Sequence, residues 1–149
     1  MDTLKILIEE LKQAGTLKDT IASWVCPGVE DIVRRQKLSV SWTAALIDDE
    51  VLVTGEIAGD ITLECGRCVE EYSSPVLIKF QQAYPATVPE IDLQDELRQL
   101  LILHVPLKPL CKTECAGICQ VCGKNRNLAP CRCPTGFPDQ RWEKLKLKK

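Results

Sequence analysis

The sequence predicts an α+β fold, an antiparallel β meander backed by helices and followed by a C-terminal cysteine-rich module. Three observations carry this. Polar and apolar residues alternate with a period of two from residue 37 onward, and apolar residues recur at helical spacing in residues 3–14 and 93–104. Eight of the nine cysteines fall into four close pairs, three of which lie after residue 110. The alternation leaves open whether the meander stays flat or curls into a partial barrel. At 149 residues, 45% hydrophobic and 27% charged, the chain suits one domain with a core of its own. Within it, residues 1–36 form an N-terminal helix and variable segment, 37–104 a sheet plus helix, and 105–149 the cysteine module with a basic tail.

Leu4, Leu7, Ile8 and Leu11 stand at i, i+3, i+4 and i+7 with Gly15 as a stop, which predicts a helix over residues 3–14. Leu38, Val40, Trp42 and Ala44 alternate with Ser39, Ser41 and Thr43 as in a half-buried strand, and Asp48-Asp49 offers a turn into a partner strand from Val51 to Ile57. Gly59-Asp60 predicts a further turn, Ile61 to Glu64 a third strand and Pro75 to Tyr84 a fourth, with Cys65 and Cys68 in the connection before the last. Asp92 can cap a second helix through Leu93, Leu97, Leu100, Leu101 and His104, which Pro106 ends. The segment beyond is punctuated by proline and glycine and has little room for regular structure.

The pairs are Cys65-x-x-Cys68, Cys111-x-x-x-Cys115, Cys119-x-x-Cys122 and Cys131-x-Cys133. Eight sulfurs are what two four-cysteine zinc sites require, because zinc takes four thiolates tetrahedrally and one turn can supply two of them. Such a site leaves no position for water or substrate, so it holds a fold together and argues against a zinc hydrolase. Disulfides are the weaker reading, since residues 1–25 carry acids and no apolar run of the export type. Ferredoxin-type spacings are absent, and Cys119-Gln-Val-Cys122-Gly123 has the form of a zinc knuckle, whose glycine tolerates positive φ. Proximity assigns Cys119, Cys122, Cys131 and Cys133 to one site and Cys65, Cys68, Cys111 and Cys115 to the other, which would close a long loop. The competing arrangement joins Cys65 and Cys68 to Cys119 and Cys122. Cys26, alone in Trp24-Val25-Cys26-Pro27, reads as a buried small hydrophobe, and no site needs His104.

The net charge of −2 conceals a division: residues 1–103 carry 9 Lys and Arg against 18 Asp and Glu, and residues 104–149 carry 10 against 3. Lys124, Arg126, Arg132 and Arg141 crowd around and after the last cysteines, a plausible footprint for a phosphate backbone, although the same residues would also solvate a small module and its tail. Only 5% of residues are aromatic, so stacking on bases is not expected. No GxSxG, glycine-rich phosphate loop or pair of histidines occurs, and no run of eighteen apolar residues that would span a membrane.

Leu63-Glu64-Cys65-Gly66-Arg67-Cys68, Val105-Pro106-Leu107-Lys108-Pro109-Leu110-Cys111, Cys115-Ala116-Gly117-Ile118-Cys119-Gln120-Val121-Cys122-Gly123, and the closing Asn127-Leu128 and Cys131-Arg132-Cys133 together resemble the YceD family. Its members, in bacteria and plastids, are needed for accumulation of the large-subunit 23S ribosomal RNA. The resemblance covers about residues 37–133. Glu64 and Arg126 depart from the family pattern without touching a ligand. It implies metal-ligand roles for the eight paired cysteines and a nonenzymatic factor in large-subunit assembly, with no small-molecule substrate.

Partners are then ribosomal RNA or an assembly intermediate, or alternatively a ribosomal or processing protein bound by an adaptor without RNA contact. The expected location is the bacterial cytoplasm, or the plastid stroma in a plant. Arg67, between two ligands, could offset thiolate charge, clasp a phosphate, or pair with an acid such as Glu64. A thiol redox role for CGRC or CQVC is the remaining alternative, disfavoured because metal would occupy those sulfurs.

Overall fold

The computed structural model describes residues 4–30 and 32–134. Its elements in chain order are β1 (Lys5–Leu7), α1 (Ile8–Ala14), β2 (Thr16–Trp24), β3 (Arg35–Ile47), β4 (Glu50–Glu64), β5 (Glu71–Pro85), β6 (Glu90–Asp92) and α2 (Gln94–His104). β2, β3, β4 and β5 form a four-stranded antiparallel meander in that order, and β1 pairs with β6 in a separate two-stranded sheet. β2 and β5 are the sheet's two edges and do not pair with each other, so the meander is open and the partial barrel is not formed.

The alternation in β3 buries Leu38, Val40, Trp42 and Ala44 as expected, and the register sets them opposite Gly59, Ile57, Gly55 and Val53 of β4. That face also carries Val51, Ile61 and Leu63 of β4 and Val76 and Phe80 of β5. Leu11 of α1 and Leu97 and Leu101 of α2, all fully buried, belong to the same core. The opposite face is polar. Lys18, Thr20, Ser41, Thr43, Thr54 and Glu56 line an open groove on it.

Four expectations need correction. Residues 5–7 are strand, not helix: Leu4, Ile6 and Ile8 are buried, whereas Leu7 is 44% exposed. An apolar run this short satisfies both periods, and pairing with β6 decides for the strand. The helix that follows stops where expected, as Gly15 at φ +74 donates its N–H to the Leu11 carbonyl at 2.7 Å. Secondly, Gly59-Asp60 is no turn, and β4 runs unbroken for 15 residues. Gly59 instead permits close approach: at φ +145 it faces the Lys37 carbonyl, into which a Cβ would collide. Thirdly, β2 joins the sheet although nothing in residues 16–24 alternates cleanly, because a register shift between Ile21 and Trp24 brings two buried residues three apart onto one face. Fourthly, His104 ends α2 exposed, not on its apolar face.

Other turns match the reading. Asp48, at φ 52, and Asp49 connect β3 to β4. The Gln94 N–H donates to the Asp92 carboxylate at 2.9 Å, but the cap position of α2 is Leu93, which makes no side-chain cap hydrogen bond. Asp92 thus steadies the chain one residue before the cap and is not itself the cap; the helix ends two residues before Pro106. No described helix is long and apolar enough to cross a membrane.

Candidate metal centres

β4 ends at Glu64 and β5 begins at Glu71, so the Cys65–Cys68 turn stands at one end of the sheet. It is a tight knuckle. The Cys65 N–H donates to the Glu70 carbonyl and the Val69 N–H to the Cys65 carbonyl, both at 2.9 Å, with Val69 held at φ 61. The segment after α2 folds back onto this turn, where the Gly66 N–H donates to the Pro109 carbonyl at 2.8 Å. Cys111 and Cys115 are thereby brought to Cys65 and Cys68.

The Sγ atoms of Cys65, Cys68, Cys111 and Cys115 lie within 4.8 Å of one another, and so do those of Cys119, Cys122, Cys131 and Cys133. These are the two sets that proximity along the chain predicts; the arrangement joining Cys65 and Cys68 to Cys119 and Cys122 is not formed. Sulfurs of Cys65 and Cys115 are 3.8 Å apart, and those of Cys68 and Cys111 3.7 Å. Four sulfurs at about 2.3 Å from one ion lie about 3.8 Å from each other, so the first set has the edge length of a single-ion tetrahedron. A disulfide would need a separation of about 2 Å. A cluster of several irons would spread its sulfurs over separate metal atoms. The geometry fits one soft cation per set.

The second set is built on Cys119–Cys122, where the Cys119 N–H donates to the Lys124 carbonyl at 2.8 Å and the Gly123 N–H to the Cys119 carbonyl at 2.9 Å. Gly123 sits at φ +69, which meets the expectation for the knuckle glycine. The two sets differ in access: Cys65, Cys68 and Cys115 are buried, whereas Cys122 is exposed and Cys131 and Cys133 are partly so.

Burial alone would raise the Cys65 thiol, but N–H groups of Cys111, Arg67 and Cys68 aimed at its sulfur bring it down to about 6. Cys119 is likewise lowered to about 6 by the N–H groups of Cys122 and Val121. Their neighbours move the other way. Burial beside other sulfurs pushes Cys111 up to about 12, and the Cys122 thiol and burial push Cys133 up to about 12. Cys115 is lowered as well, its sulfur buried but met by the Asn127 amide and the Gly117 N–H. The first set thus mixes lowered and raised thiols, and a cation bound by either set would displace the protons of the raised ones.

Arg67 does not pair with Glu64, which is bound by Arg34 at 2.9 Å. Its guanidinium Nη1 donates to the Cys115 carbonyl at 3.1 Å and leaves the residue exposed. Lys124, Arg126 and Arg132 are exposed around the second set, and Arg141 lies outside the described residues. The lone cysteine is where its neighbours suggest. Cys26 is fully buried, and Gln36 brackets its peptide with two 2.9 Å hydrogen bonds.

One contributor carries no sign of its role in its own residue type. The Asn127 side chain donates through Nδ2 to the Cys115 sulfur at 3.3 Å, while its Oδ1 accepts the Ala116 N–H at 2.9 Å. Asn127-Leu128 belongs to the motif set that carries the resemblance, and that is its only signal in the sequence.

Residues 81–148 match the model of a family described as "Large ribosomal RNA subunit accumulation protein YceD". Uncharacterized protein ML1660 of Mycobacterium leprae is 25% identical over 158 residues, spanning 87% of this chain and 68% of its own length. Uncharacterized protein Rv2926c of Mycobacterium tuberculosis is 28% identical over 148 residues, 87% of this chain and 71% of its own. A protein of Arabidopsis thaliana named "Large ribosomal RNA subunit accumulation protein YCED homolog 1, chloroplastic" is 36% identical over 50 residues, which is 34% of this chain and 16% of that protein. No solved structure matches.

Proposed function

The chain carries the YceD family match over its C-terminal part, and from it we propose a nonenzymatic factor that supports accumulation or maturation of 23S ribosomal RNA in large-subunit assembly, with one zinc ion in each cysteine set. The observation that supports this is the position of the whole second set, and of Cys111 and Cys115 from the first, on the segment bearing the exposed cations. Cys119 to Cys133 surround Lys124 and Arg126, with Arg132 between the last two sulfurs, inside the matched residues. Zinc supplies charge and tetrahedral geometry there, and with four protein ligands it offers no position for a substrate. Cys65, Cys68, Cys111 and Cys115 hold the knuckle at the sheet end, and Arg67 adds a cation beside them. Neither a small-molecule substrate nor a membrane is required. All-thiolate sites belong in a reducing compartment such as the bacterial cytoplasm or plastid stroma.

RNA bound through these cations is held by its phosphate backbone. Reversing Lys124, Arg126 and Arg132 to Glu then flattens the slope of log affinity against log salt by about 0.7–0.9 for each phosphate no longer neutralised. A second reading has one observation in its favour, the excess of acids in residues 1–103, 18 against 9 cations, which suits a basic ribosomal protein as partner. The deciding experiment depletes the protein from cells and measures the ratio of 23S to 16S ribosomal RNA, with rescue by the full chain or by residues 1–110. A selective fall in 23S that only the full chain restores supports the proposal. An unchanged ratio defeats it, and purified protein that ignores RNA but holds one ribosomal protein moves the function to the adaptor.

A further inference from the structure

The loop between the two ligand pairs of the second set does not face away from the first set. Residues 123–130 run from Cys122 to Cys131 and are closed at both ends by second-set ligands. From the middle of that loop Asn127 reaches the first set, donating Nδ2 to the Cys115 sulfur at 3.3 Å. Its orientation is fixed from two sides. The Ala116 N–H is held on Oδ1, and Asn125 Oδ1 accepts both the Asn127 N–H and Nδ2 at 2.9 Å. Asn125 in turn donates to the Glu70 carboxylate, beside the first knuckle, at 3.3 Å.

The backbones are tied as well. The Ile118 N–H donates to the Arg67 carbonyl at 3.0 Å and the Arg126 N–H to the Gly117 carbonyl at 2.8 Å. Gly117, at φ +69, lies so close to Arg67 that a Cβ would come within 3.0 Å of its carbonyl oxygen. One short stretch, Cys115 to Cys119, therefore carries a ligand of each set at its two ends and the Arg67 and Arg126 hydrogen bonds between them.

We infer that the two sets bind metal cooperatively, and that Asn127 is the positioning residue through which the second site strengthens the first. This inference rests on the metal-binding reading of both sets. A hydrogen bond to a ligand sulfur steadies its orientation and moderates its charge, and loss of such an outer partner typically weakens metal binding about 10–100-fold. Asn127 supplies it while its loop is held, and to the hydrogen bonds involving Ala116, Asn125 and Arg126 an ion bound by Cys119, Cys122, Cys131 and Cys133 adds the pinning of both loop ends. The coupling is reciprocal, so an ion in the first site favours loading of the second by the same factor. The basic loop bearing Lys124 and Arg126 is then held most firmly in the doubly loaded protein.

The test uses the full chain and Zn2+ added below saturation, with native mass spectrometry counting species holding none, one or two ions. Cooperative loading leaves the one-ion species underpopulated relative to independent sites, and Asn127→Ala restores it. Competition with a chromogenic chelator then measures first-site affinity in four proteins: the parent, Asn127→Ala, Cys131→Ser/Cys133→Ser, and the combination. Asn127→Ala is expected to weaken the first site about 10–100-fold with the second set intact, and to add little once the second set is disabled. Independent loading, or full additivity in the cycle, overturns the inference while leaving the metal sites standing. Failure to bind any Zn2+ defeats the metal reading itself, a separate outcome. Near-ultraviolet circular dichroism of Trp24 and Trp42, which lie in the sheet core, checks that each variant has folded.

Discussion

At the scale of single residues, Cys26 and Asn127 show what a sequence displays and what it hides. Cys26 stands among apolar neighbours, and its burial raises the thiol to about 11. A folded-state value above the ordinary one of 9.0 means that the native state holds its proton longer than the unfolded chain does. The associated stability is fully present below pH 9 and is lost as pH rises from there through 11. Urea unfolding of chelator-treated protein at pH 8, 9 and 10 should show that decline, and Cys26→Ala should abolish this part of it. A thiol reagent at pH 8 should likewise modify the eight paired cysteines after chelation and reach Cys26 only on denaturation. Asn127 offers no comparable local sign. Its role depends on which sulfur its amide meets, a matter of how residues 115–127 fold back and not of composition.

Among the elements, legibility follows the strength of the hydrophobic period. β3 and α2 repeat their period over many residues, and Leu38, Val40, Trp42 and Ala44 or Leu93, Leu97 and Leu101 declare the buried face. β1 is ambiguous because three or four apolar residues fit either period, and β2 is hidden because its register shift breaks the alternation. At Gly59 the glycine signal is real but its cause is close packing against Lys37, not a turn. α2 supplies a paired prediction. Leu97 is fully buried and Leu103 is 81% exposed. Leu97→Ala should therefore cost about 2–5 kcal/mol in urea unfolding, whereas Leu103→Ala should stay within about 0.5 kcal/mol. Equal losses would mean that the helix packs through a different face.

Across the whole molecule there are two centres of organisation. The sheet and helices share one continuous apolar core, while Cys65, Cys68 and Cys115 form a separate buried cluster with Tyr72, Leu110 and Cys111 beside it. Metal removal should consequently divide the chain. Hydrogen exchange after chelation should show protection falling away over residues 111–133 and largely retained over 35–104, since metal binding energy is folding energy only for the module it organises. Uniform loss of protection would instead make the metals indispensable to the sheet. The division of charge runs along the same line, acidic over the sheet and basic over the module. The clip that joins the two parts also has a consequence in time. Cys68 and Cys111 meet across 43 residues, and at a synthesis rate of about 5–20 residues per second the first knuckle waits roughly 2–9 s for its partners. During that interval a newborn chain exposes two uncommitted thiols, and one oxidation event there would forfeit the first site before the sequence that completes it had been translated.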